Sequence, residues 1–176
     1  EEANAPFKIG DFQVKPGETG SGYLAVPDKD GVGTRIPITV IHGLKKGKVL
    51  ALVAGLHPFE YPPILALYRL KAAIDPKALT GTVLMVHIAN MPGFQRRTIS
   101  YVPADWKNLN RVFPGDINGT LSQRIAAVIN DQVVKRCDAL LDMHCGDGNE
   151  ALIPYTYWMI SGHKALDEET RKMALA

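Results

Sequence analysis

Two apolar runs, KVLALVAGLH (48–57) and GTVLMVHIAN (81–90), constrain the fold of this 176-residue chain more than any other feature. Neither alternates apolar with polar residues, so each reads as a strand covered on both faces. Between them ILALYRLKAAI (64–74) has helical spacing, and Pro62 and Pro63 suit a first turn, which predicts a helix over 63–74. Two buried strands joined by a helix make a parallel crossover. A third run, DALLDMH (138–144), follows the helical segment LSQRIAAVINDQVVKRC (121–137), for which Thr120 is the expected N-cap. The expected fold class is α/β: a three-layer α/β/α sandwich on a mixed, largely parallel central sheet.

The flanks read differently. FKIGDFQV (7–14), SGYLAVPD (21–28) and TRIPITVIHG (34–43) partly alternate and are separated by Gly, Pro and Asp, so residues 1–45 are set apart as an N-terminal β extension to an α/β domain over 46–176. KKGK (45–48) reads as a solvated turn, and 91–116 as a long polar loop with little periodicity. ALDEETRKMALA (165–176) reads as a helix without a Gly or Asn stop, which leads to the expectation of a domain incomplete at its C-terminus. An apolar share of 46% excludes a disordered chain. A net charge of +2, with no stretch combining dense Lys/Arg and aromatics, argues against a nucleic-acid partner. No apolar run reaches the roughly 18 residues of a membrane span. Cys137 and Cys145 form no framework pattern. The start EEANAPF lacks Met and fits a cleaved leader as well as a trimmed chain. The expectation taken here is an exported or periplasmic protein, with the cytoplasm as the alternative.

Residues with chemistry fall where the three buried runs end. His57 and Glu60 follow the first run in GLHPFEYPP, an Arg-rich loop follows the second, and His144 ends the third. Ligand sites of open α/β sheets form at the carboxyl ends of the strands. A catalytic zinc commonly takes three protein ligands, two His and one Glu in one frequent set. HxxE with a distant His supplies such a set. Alone, HxxE is equally a capping glutamate beside a turn histidine. His42, His87 and His163 lack convergent partners and read as structural or surface residues. In the loop, Arg97, Asn110 and Arg111 stand out, because guanidinium groups grip carboxylates in pairs and an amide adds orientation. Arg96 reads as a solvated neighbour. Arginine near a metal implies an anionic substrate or an oxyanion to stabilise.

Taken together, AGLHPFEYPPILAL, PGFQRRTISYVPADWKNLNRVFPGD, LSQRIA and LLDMHCGDGNEALIPY resemble the succinylglutamate desuccinylase/aspartoacylase family, zinc hydrolases related to the M14 metallocarboxypeptidases. The likeness spans 48–175 in order, and it implies a zinc carboxypeptidase-like fold. It also implies one Zn2+ per chain, with His57, Glu60 and His144 as its ligands, Arg97 polarising the scissile carbonyl, and Asn110 and Arg111 holding the substrate. The implied reaction is hydrolysis of an N-acyl amide, the implied substrate a small anionic N-acyl amino acid or related amide. Two positions depart from the family pattern: Pro58 and Cys145 stand where Gly is usual after each zinc histidine. Cys145 reads as a bystander. The family's catalytic glutamate comes from a later strand, so it is expected beyond residue 176; Glu150 matches an acidic residue after the second histidine and not that base. The chain alone is accordingly expected to be inactive, and to need a companion C-terminal fragment or a second copy. A carboxypeptidase-like peptidase and a non-catalytic metal- or ligand-binding fragment are the alternatives.

Overall fold

The computed structural model describes residues 4–176. Nine strands and four helices follow in the order β1 (Phe7–Ile9), β2 (Phe12–Val14), β3 (Glu18–Lys29), β4 (Val32–His42), β5 (Lys45–Ala54), α1 (Tyr61–Ala73), β6 (Thr80–Val86), α2 (Met91–Arg96), β7 (Tyr101–Val102), β8 (Lys107–Asn108), α3 (Leu121–Gln132), β9 (Ala139–Met143) and α4 (Lys164–Leu175). The central sheet has the order β3-β4-β6-β5-β9. β5 pairs in parallel with both β6 and β9, whereas β3–β4 and β4–β6 are antiparallel. Strands β3 and β4, inside the segment set apart as a β extension, thus belong to the same sheet as β6.

Side chains alternate across this sheet into two cores, as the pleat demands. Val40, Ala51, Val53, Leu84 and Val86 face one side, where Leu121, Ile125 and Ile129 of α3 and the β1–β2 hairpin cover them. Ile41, Leu52, Ala54, Val83 and Met85 face the other, covered by Ile64 and Leu67 of α1. Full burial of such a side chain contributes about 1.5–3 kcal/mol. These are the three expected layers. α1 begins with prolines in its first turn, and α3 begins at Thr120, whose N–H donates to Gln123 Oε1 at 3.0 Å, as a capping box requires.

Several local expectations are corrected. KKGK is not a turn; it opens β5, where Lys45 pairs with Thr80 and a register shift precedes Val49. The shift works because Gly81 adopts φ +90°, and a Cβ there would lie 2.2 Å from Lys48 O. Residues 7–14 are two strands turned at Gly10 and Asp11, and 91–116 contains α2 and the β7–β8 hairpin. α3 ends at Gln132 and is followed by a 3-10 turn, Val134–Arg136. β9 is not buried on both faces; it is the edge strand of the sheet, with Leu141 44% exposed. Cys137 and Cys145 are both free thiols. Among the described residues no helix is long and apolar enough to cross a membrane.

Candidate metal centre

β5 and β9 run side by side and in the same direction, so their carboxyl ends open at one edge of the sheet. After Ala54 the chain turns and delivers His57 and Glu60 just ahead of α1; after Met143 it delivers His144. The turn over 57–61 is closed by Glu60 N–H to His57 O and Tyr61 N–H to Phe59 O. Neither bond uses an N–H at position 58, so Pro58 fits without loss. Glu60 occupies the N-cap position of α1, yet its side chain caps nothing. Its carboxylate is committed elsewhere: Oε1 lies 2.8 Å from His57 Nδ1, Oε2 lies 2.8 Å from His144 Nδ1, and Oε2 also accepts from the Cys145 amide at 3.0 Å. The capping reading of HxxE is thereby set aside. One ligand atom from each of His57, Glu60 and His144 lies within 4.8 Å of the others.

The outer nitrogens are held as well. His57 Nε2 sits 3.2 Å from Asn108 Oδ1, whose identity as oxygen follows from the Asn110 N–H that donates to it at 2.9 Å. His144 Nε2 sits 3.0 Å from Asp142 Oδ2. Each imidazole therefore has an oxygen acceptor at both nitrogens. A neutral ring carries a single N–H and leaves one such contact unsatisfied. A second proton relieves this, and so does a cation in place of the inner one, with Nε2–H still donating outward. The electrostatics agree. Hydrogen bonds to Asp142 and Glu60 push His144 up to about 10. Burial would raise Glu60, which is only 4% exposed, but bonds from His144, His57 and the Cys145 amide outweigh it and hold the carboxyl down to about 2. Two imidazoles and one carboxylate, braced from outside and converging through Nδ1 and oxygen, fit a divalent ion of the zinc type.

The loop residues divide. Asn110 comes to the centre, its Nδ2 3.3 Å from His144 Nε2, and Arg111 follows it on the same 3-10 turn, exposed, with Nη1 donating to Asn110 O at 2.9 Å. A protonated His144 Nε2 offers the Asn110 amide no lone pair, which leaves that donor for another acceptor. Arg97 leaves a different element, capping α2 with left-handed backbone (φ 55°), and its exposed guanidinium has no partner among the described residues. Glu150 is exposed and closes a turn by accepting from Asp147 N at 3.1 Å. His42 and His87 are buried structural histidines, and His163 lies exposed ahead of α4.

Sequence reasoning assigned no part to Asn108 or Asp142. Asp142 had a signal: two residues before His144 on a strand, it projects from the same face. Asn108 had none, because β8 is two residues long. Cys145, read as a bystander, contributes its main-chain amide to Glu60.

Known proteins similar to this chain are found both by sequence and by structure. N-alpha-acetyl-L-2,4-diaminobutyric acid deacetylase of Halomonas elongata is 33% identical over 160 residues, which cover 88% of this chain and 44% of the relative. A succinylglutamate desuccinylase/aspartoacylase structure from Rhodobacter sphaeroides superposes with a TM-score of 0.77 at 30% identity, over 89% of this chain and 49% of that one. The product-bound ectoine utilization protein EutE from Ruegeria pomeroyi superposes with a TM-score of 0.63 at 30% identity, over 70% and 39%. The chain thus spans about half the length of these relatives. Residues 46–174 match the succinylglutamate desuccinylase/aspartoacylase catalytic domain, and the chain belongs to that family.

Proposed function

We propose that the protein hydrolyses the amide bond of a small N-acyl amino acid at a zinc centre held by His57, Glu60 and His144. One observation carries this reading: two imidazoles turn Nδ1 toward one buried carboxylate while Asn108 and Asp142 accept from their outer nitrogens. Zinc there would supply Lewis-acid polarisation of the amide carbonyl and a water of lowered pKa. The chain's own groups do the rest. Glu60 and the two histidines hold the cation, and Asn108 and Asp142 hold the histidines. Arg97 steadies charge developing on the carbonyl oxygen, and Asn110 with Arg111 grips the substrate carboxylate. The deacetylase named for the Halomonas relative supports the substrate class. By the family pattern the water's proton passes to a glutamate that no residue of 1–176 matches.

Metal analysis after purification without chelator tests the centre, with one zinc per chain expected and none in His57→Ala or His144→Ala. Absence of zinc, or equal affinity in both variants, overturns it. The reaction is tested in the intact natural protein with a panel of N-acetyl amino acids beside peptides. Cleavage of peptides alone would replace this reading with a peptidase.

A further inference from the structure

Arg97 lies on a different loop from the metal ligands, so something must fix the one relative to the other. We infer that Asn90 is that positioning residue, an inference that rests on the role assigned above to Arg97. Asn90 is wholly buried where β6 leaves the sheet, and its main-chain N–H donates to Gly55 O at 2.8 Å, two residues before His57. Its side-chain Oδ1 accepts from Gly93 N at 3.0 Å, capping α2. Gly93 O in turn accepts the N–H groups of Arg97 and Thr98, the latter at 3.0 Å. One residue therefore joins the end of β5 to the turn that carries Arg97, through three hydrogen bonds in series.

Two further observations single out asparagine. A Cβ on Gly93 would stand 2.8 Å from Cγ, Oδ1 and Nδ2 of Asn90 alike, so the carboxamide lies flat against that glycine and the pair is matched in shape. Asn90 Nδ2 is buried with no partner, a cost that serine at an N-cap would not carry. The left-handed Arg97 is the other cost in the same turn. Both are concentrated in the six-residue α2, which serves to aim one guanidinium.

Asn90→Ala in the intact natural protein, loaded with zinc, tests this. A misplacement of about 1 Å lowers turnover on the order of 100-fold, so kcat is expected to fall by that order with KM and zinc affinity little changed. Asn90→Ser, which keeps a neutral capping oxygen, restores part of kcat. Independently of any turnover, amide hydrogen exchange of Arg97 and Thr98 quickens in Asn90→Ala and in Gly93→Ala, where the new methyl displaces the carboxamide. Unchanged exchange at those two amides overturns the inference, and so does loss of zinc together with kcat, which would make Asn90 a support of the metal loop instead. An inactive wild-type protein with the exchange effect intact would instead overturn the proposed function and leave this positioning role standing.

Discussion

A histidine can serve a metal only if the correct nitrogen carries the lone pair, and at the proposed centre that choice falls to residues outside the ligand set. Asp142 accepts from His144 Nε2 and so keeps Nδ1 turned toward Glu60. Outer partners of this kind typically change metal affinity by about 10–100-fold when removed. Asp142→Ala should weaken zinc binding within that range, and Asp142→Asn, which keeps a neutral acceptor, should weaken it less. Competition against a chromophoric chelator measures both, and equal affinity in all three proteins would remove Asp142 from the site. The proposed ligands are legible in the sequence as a cluster, because HxxE at the end of one apolar run and a histidine at the end of another imply neighbouring strand ends. Their bracing is not, since it depends on which nitrogen faces which oxygen.

At the scale of elements, α1 and the sheet meet around a buried histidine. His87 Nε2 lies 2.8 Å from Thr39 Oγ1 of β4, Tyr68 of α1 packs its ring against the imidazole at 5.0 Å, and Nδ1 is buried without a partner. Lys71 of α1 donates to Ser21, which is bonded to Thr39. Burial, aided by the Lys71 charge, holds His87 down to about 4 from its ordinary 6.5. The unfolded chain therefore binds a proton between those values that the folded chain refuses, so stability is full above pH 6.5 and falls as the pH drops toward 4. With the residue only 4% exposed, the loss is about 3 kcal/mol. Denaturant titrations across that window should show it in the wild type and lose it in His87→Gln; parallel curves for the two proteins would refute the assignment. Elements are largely legible as well: α1, α3 and the runs of β5 and β6 follow from apolar spacing. KKGK misleads because lysines look like a solvated turn, whereas here they ride a strand whose register shift depends on Gly81, far away in sequence.

For the molecule as a whole, the sheet is well covered at β6 and thinly covered at β9. Among the described residues β9 pairs only with β5, leaving one line of its backbone groups unpaired within the sheet. Leu141 lies 44% exposed beside it, and Ile153, Tyr157 and Ile160 of the segment beyond are more than two-thirds exposed. A free edge flanked by apolar side chains is a template for pairing with another chain, and native proteins blunt such edges with charge. A net charge of +2 gives the molecule little repulsion to oppose that contact. The 176-residue chain should therefore self-associate as its concentration rises, with a sedimentation coefficient that climbs and a bound hydrophobic dye. Leu141→Lys places a cation on the edge without touching His57, Glu60 or His144, and it should return the chain to a monomer with zinc affinity preserved. A wild-type chain that sediments as a monomer at every concentration, with no dye bound, would show that the 151–163 segment shields the edge instead. Association that persists in Leu141→Lys would move the contact to the apolar side chains of that segment and away from the strand.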